Sequence, residues 1–134
     1  MEIVKMKVLI VDDEHDFLEI IVERLIIRGL DVTGVDSGEK ALRVLREQSF
    51  DVVILDMKMP GMDGIETLKE IKKRNLLTEV IMLTGHGSEE SGVRAMHMGA
   101  SDYVIKPADL EDLLKRINQA VERKMLHEER IRKR

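Results

Sequence analysis

The chain has no cysteine, no tryptophan, one tyrosine, two phenylalanines and only two prolines in 134 residues. Without thiols, disulfide scaffolds, thiolate zinc centres and cysteine nucleophiles are excluded together, and a reducing, cytoplasmic setting is the expectation. Aromatic residues make up 2% of the chain, which leaves little to stack on nucleobases. No aliphatic run is longer than the four residues from Val8 to Val11, whereas a helix needs about 20 to cross a bilayer, so no membrane span is expected. Met1 to Lys5 has neither the apolar stretch nor the small-residue cleavage site of a secretory signal, which disfavours export.

What is present suits one compact domain. Hydrophobic residues form 43% of the chain and charged residues 36%, enough for both a core and a hydrated surface. The charge is uneven. Residues 1–121 carry 16 basic and 23 acidic side chains, whereas residues 122–134 carry 6 and 3. An acidic body repels phosphate backbones, so no direct nucleic acid binding is expected. We read residues 1–121 as the domain and 122–134 as a basic helical extension or linker that does not form a coiled coil by itself.

Consecutive apolar residues at Val8 to Val11, Val52 to Leu55, Val80 to Leu83 and Tyr103 to Ile105 are expected to form central parallel strands covered on both faces. Asp31 to Val35 is weaker and contains Gly34, as suits a strand near an edge. Between the runs, residues such as Phe17, Leu18, Ile21 and Leu25, or Leu68 and Ile71, recur at helical spacing. Asp63 with Glu66, Ser37 and Asp109 supply N-terminal caps, and Gly29 and Gly99 follow helices. The pattern is (βα)5 in the α/β class. Right-handed crossovers then require a doubly wound parallel sheet of five strands, and the flavodoxin-like order 2-1-3-4-5 is adopted from folds of this kind.

Ligands of such sheets sit beyond the carboxyl ends of the strands. Strand 1 is followed by Asp12, Asp13 and Glu14, strand 3 by Asp56, strand 4 by Thr84 and Gly85, and strand 5 by Lys106 and Pro107. Carboxylates this close raise one another's pKa unless a cation neutralises them. An oxygen-only set suits Mg2+, which is commonly held by one or two carboxylates together with a phosphate. Asp56 as nucleophile, Mg2+, Lys106 as the positive clamp and Thr84 as hydrogen-bond donor would form a phosphoryl-transfer site. Each residue alone has an ordinary explanation: acids begin helices, Asp56 precedes the Pro60-Gly61 turn, and Tyr103 is half-buried packing. Their convergence on one rim favours function. His86 lies nearby without a matching set of ligands, and the methionines around the site, Met57, Met59 and Met62, are expected to pack.

The segments Ile10-Val11-Asp12-Asp13-Glu14, Leu55-Asp56-Met57-Lys58-Met59-Pro60-Gly61-Met62-Asp63-Gly64, Leu83-Thr84-Gly85 and Gly99-Ala100-Ser101-Asp102-Tyr103-Val104-Ile105-Lys106-Pro107 resemble the receiver domain of two-component response regulators. The likeness runs from about Lys7 to Val121. It implies a phosphorylation-dependent signalling switch in which Asp56 accepts a phosphoryl group from a histidine kinase or phosphotransfer protein. It also implies Mg2+ organised by Asp12, Asp13, Asp56 and the Lys58 backbone carbonyl, phosphoryl oxygens held by Thr84 and Lys106, and Tyr103 as a switch partner of Thr84. A cis Lys106-Pro107 bond is expected on the same ground. So is output through the face of helix 4, strand 5 and helix 5, to an output domain or protein or to a homodimer strengthened by phosphorylation. Two alternatives remain. One is a Mg2+-dependent phosphatase acting through an aspartyl phosphate, although the Asp-x-Asp such enzymes carry after strand 1 is absent. The other is an interaction module that is not phosphorylated. The chain is either a stand-alone regulator or the receiver of a longer protein.

Overall fold

The structure, a computed structural model, describes residues 5–74, 77–85 and 89–133; His86 lies outside them. Strands β1 (Lys7–Val11), β2 (Asp31–Val35), β3 (Val52–Asp56), β4 (Glu79–Thr84) and β5 (Asp102–Ile105) alternate with helices α1 (His15–Ile27), α2 (Gly38–Glu47), α3 (Gly64–Arg74), α4 (Glu89–His97) and α5 (Leu110–Arg132). All pairings are parallel, in the order β2-β1-β3-β4-β5.

Side chains alternate across each strand, so the sheet sorts its apolar residues into two cores. Leu9, Val11, Val53, Leu55, Val80 and Met82 pack on one face with Ala41 and Leu42 of α2, Leu68 and Ile71 of α3 and Ala95 of α4. Val8, Ile10, Val52, Ile54, Ile81 and Leu83 pack on the other with Ile21 and Leu25 of α1 and Leu113, Ile117 and Ala120 of α5. The continuous apolar runs are thus explained by helices on both faces. One expectation needs correcting. β5 is an edge strand, not a central one, and of its four residues only Val104 is buried. Its run Tyr103 to Ile105 is apolar because α4 and α5 flank it, which does not require a strand on either side.

Local signals act as expected. Ser37 Oγ accepts from Lys40 N at 3.1 Å, Asp63 Oδ1 from Glu66 N at 2.9 Å and Asp109 Oδ1 from Glu111 N at 3.2 Å. Gly29 and Gly99 end their helices at φ of 90° and 105°. The α5 helix continues without a break beyond Val121. Arg123 lies 3.7 Å from Glu79 and Lys124 3.2 Å from Asp51, so its first added turn is tied to the amino end of the sheet. Met57 and Met59, in the β3–α3 loop, turn inward and are buried in the core.

Candidate functional site

The parallel register brings the carboxyl ends of β1, β3, β4 and β5 to one rim. Val11 pairs with Leu55, Asp56 with Leu83 and Thr84 with Ile105. Asp12 and Asp56 therefore stand level and Thr84 one residue further along its strand, although 72 positions separate the first from the last. Asp12 and Thr84 are fully buried and Asp56 is 6% exposed. Asp13 is partly exposed beside them.

Asp12, Asp13 and Asp56 each offer a carboxylate oxygen within 4.8 Å of the others. Lys106, after β5, reaches into this group from the far edge of the sheet. Its Nζ lies 2.8 Å from Asp12 Oδ2, 3.0 Å from Glu14 Oε1 and 3.6 Å from Asp56 Oδ1. The same ammonium sits 4.8 Å from the centre of the Phe17 ring, a cation–π contact that steadies its approach. The Lys106-Pro107 bond is cis, as expected. Asp12 Oδ1 also accepts from the Glu14 backbone N at 2.9 Å, fixing the turn into α1.

Electrostatics follow from this crowding. Burial first, and then the Asp12 charge, push the Asp56 carboxyl up to about 7 against the opposing pull of Lys106. Burial draws the Lys106 ammonium down, but its hydrogen bonds and ion pairs with Asp12, Glu14 and Asp56 outweigh this and hold its pKa above the ordinary value. One cation thus faces several anions. Thr84 Oγ1 is buried without a hydrogen-bond partner among the described residues, so a polar group arriving at the rim would recover a bond that folding leaves unmade.

This yields a pH prediction for the metal-free protein. The Asp56 pKa is raised from 3.8 to about 7. The folded chain therefore keeps a proton that the unfolded chain has released, and the contribution of this group is full below pH 3.8 and lost as pH rises through 7. Urea unfolding of wild type and Asp56→Asn in EDTA should give stabilities that diverge in favour of the variant between these limits, with a slope approaching about 1.4 kcal/mol per pH unit. Parallel pH profiles would contradict the assignment.

The loop after Asp56 is shaped by glycine. A Cβ at Gly64 would lie 2.4 Å from the Asp56 carbonyl oxygen and 2.7 Å from Met57 Cα. Only glycine lets α3 start so close to β3. Lys58 lies in this loop with its side chain exposed. Tyr103 is set apart from the carboxylates, packed between the core and α4. Glu14, placed on the rim without a role, and Phe17, read as a packing residue of α1, are further partners of Lys106. The acidic triplet was a signal for Glu14; for Phe17, helical spacing pointed only to packing.

Fold and site together define a doubly wound α/β domain with an acidic rim that one lysine caps. Residues 8–118 match the response regulator receiver domain family, and the chain belongs to it. It is 41% identical over 114 residues to the transcriptional regulatory protein ZraR of Escherichia coli K12, covering 85% of this chain and 26% of that protein. It is 36% identical over 112 residues to the DNA-binding transcriptional regulator NtrC of Klebsiella pneumoniae, covering 84% of this chain and 24% of the relative. The chain thus spans about a quarter of these relatives. Among solved structures, a response regulator receiver domain protein from Clostridium thermocellum superposes with a TM-score of 0.86 at 43% identity, covering 90% of this chain and 98% of that one. NtrX from Brucella abortus in complex with ADP superposes at 0.93 and 30% identity, covering 98% of this chain and 30% of that one. The protein is therefore a receiver domain of two-component response regulators, a signalling module. No described helix is long and apolar enough to cross a membrane.

Proposed function

We propose that this receiver is a cytoplasmic switch set by phosphorylation of Asp56, with a histidine kinase or phosphotransfer protein as donor. The observation that carries the reading is the position of Asp56: it ends the central strand, faces Asp12 and Asp13, and has the Lys106 ammonium 3.6 Å away. An Asp56 Oδ forms a bond to phosphorus while the bond from phosphorus to the donor imidazole nitrogen breaks, its electron pair leaving with the imidazole. The donor set fits Mg2+: carboxylate oxygens of Asp12, Asp13 and Asp56 lie within 4.8 Å of one another, and together with the Lys58 backbone carbonyl, which the family likeness adds, they would hold the ion directly or through water. When bound, the ion would neutralise charge on the phosphoryl oxygens and offset the repulsion among the carboxylates. Lys106 supplies the second positive group, and Thr84 Oγ donates to a phosphoryl oxygen, gaining the partner it lacks.

Thr84 lies two residues beyond Met82, which pairs with Tyr103, so both side chains belong to the α4 side of the sheet. Movement of Thr84 toward the phosphoryl group therefore reaches Tyr103 and the α4–β5–α5 face by a short path. We assign output to that face, with an attached domain, a separate protein or a second copy as its recipient, and residues 122–134 to a helical extension beyond the 1–121 domain. A phosphorylated form must favour the active arrangement differentially for this to work.

The test is intact-mass spectrometry after incubation with acetyl phosphate and Mg2+. One phosphoryl group per chain, lost on mild base treatment and absent in EDTA, is the expected result. Sustained turnover of acetyl phosphate or a generic phosphate ester without stoichiometric labelling would favour the phosphatase reading instead.

A further inference from the structure

Gly92 is the feature of α4 that the switch reading does not absorb. It is buried in the middle of a helix and is absent from the glycines with positive φ, so its backbone would accept any residue. Glycine is the poorest helix former after proline, so a mid-helix position without backbone need asks for another cause. That cause is space. A Cβ at Gly92 would lie 2.6 Å from Tyr103 Cδ2, 2.7 Å from Cγ and 2.9 Å from Cε2. One edge of the Tyr103 ring, Cγ to Cε2, fills the notch that the missing side chain leaves, and Cγ is too near the backbone for a small swing to relieve the clash.

We propose that Gly92 is a positioning residue for Tyr103: its notch on α4 holds the ring in its half-buried seat and so sets the balance of the switch. The inference rests on the reading of Thr84 and Tyr103 given above. On its inner side the ring meets the packed core that contains Val80, Met82 and Ala95. A side chain at position 92 therefore drives the ring outward, where there is room. The neighbouring α4 residues Val93 and Met96 are 47% and 40% exposed, so the same motion changes an apolar surface beside the ring. A seated ring and an expelled ring present different faces to a partner, and whichever favours the Thr84 contact with the phosphoryl group sets the affinity for that group. The seated ring lies on the side of the sheet that Thr84 shares, so eviction disfavours the phosphorylated arrangement.

Tyr103 is the single tyrosine of a chain without tryptophan, so intrinsic fluorescence of the full chain reports on this ring alone. Acrylamide quenching of the metal-free protein should rise in Gly92→Ala. Affinity for beryllofluoride in the presence of Mg2+ should fall about tenfold, within the usual range of coupling between sites. The decisive comparison is the same substitution beside Tyr103→Ala, where no ring remains to be evicted: Gly92→Ala should then leave beryllofluoride affinity unchanged. Unchanged quenching in Gly92→Ala, or an equal loss of affinity in both backgrounds, would overturn the proposal. Loss of the switch reading would show differently, as beryllofluoride binding that survives Asp56→Asn.

Discussion

Asp56→Asn is expected to accept no phosphoryl group from acetyl phosphate under conditions where wild type is labelled once per chain. The amide nitrogen and oxygen are about the size of the carboxylate, so the β3 end and its pairing with Leu83 persist. What is lost is the anionic nucleophile. Asp12 cannot substitute, because it is fully buried and its Oδ2 is held 2.8 Å from Lys106. Asp13 is the nearer rival, being partly exposed. Labelling retained in Asp56→Asn would therefore move the acceptor to Asp13 or elsewhere and remove the basis of the proposed switch. The variant should remain folded and, at pH 8 in EDTA, be the more stable of the two, since a buried carboxyl raised to about 7 is then ionised at a cost.

The second large effect concerns the cation. Replacing Asp13 by Ala removes one of three carboxylates whose oxygens lie within 4.8 Å of one another. A doubly charged ion about 4 Å from a single negative charge gains about 2 kcal/mol even at the dielectric of water, roughly a thirtyfold change in affinity. Partial burial raises that figure and ligand desolvation lowers it, so Mg2+ affinity should fall by one to two orders of magnitude. Phosphorylation by acetyl phosphate should slow in parallel at a fixed, subsaturating Mg2+ concentration and recover as the concentration is raised. Calorimetric or fluorescence titration reads the affinity. Slower phosphorylation at saturating Mg2+ with unchanged affinity would assign Asp13 to another task.

Much of this site was legible because its residues follow apolar runs. A strand buried on both faces announces its own end, and the next polar residue must then stand on the rim. Asp12, Asp56, Thr84 and Lys106 were placed in this way, and the structure brings Asp12, Asp56 and Lys106 into contact. Caps at Ser37, Asp63 and Asp109 were legible for a similar reason: each depends on residues two or three positions away.

What the sequence did not disclose depends on where side chains from distant elements meet. Phe17 has the spacing of a core residue of α1, and nothing local indicates that it lies beneath Lys106, 89 positions along the chain. The pairing of Arg123 and Lys124 with Glu79 and Asp51 has the same character. It ties the start of the basic segment to the domain body, whereas composition alone separates the two. Gly92 offers the sharpest case. Glycine in a helix reads as a weak point until the Tyr103 ring is seen to occupy the space a Cβ would need. The adopted order 2-1-3-4-5 already put β5 at an edge, and only its apolar run suggested a central strand, because such a run records coverage above and below a strand and carries no information about its neighbours in the sheet.

The most direct test of the central claim is to locate the phosphoryl group itself. Wild-type chain labelled with acetyl phosphate and Mg2+ is reduced with borohydride, which converts an acyl phosphate to an alcohol, and the digested peptides are sequenced by mass spectrometry. The account predicts reduction at Asp56 alone. Reduction at Asp12 or Asp13, or a stable phosphoryl group on any of the four histidines with Asp56 unmodified, would contradict it.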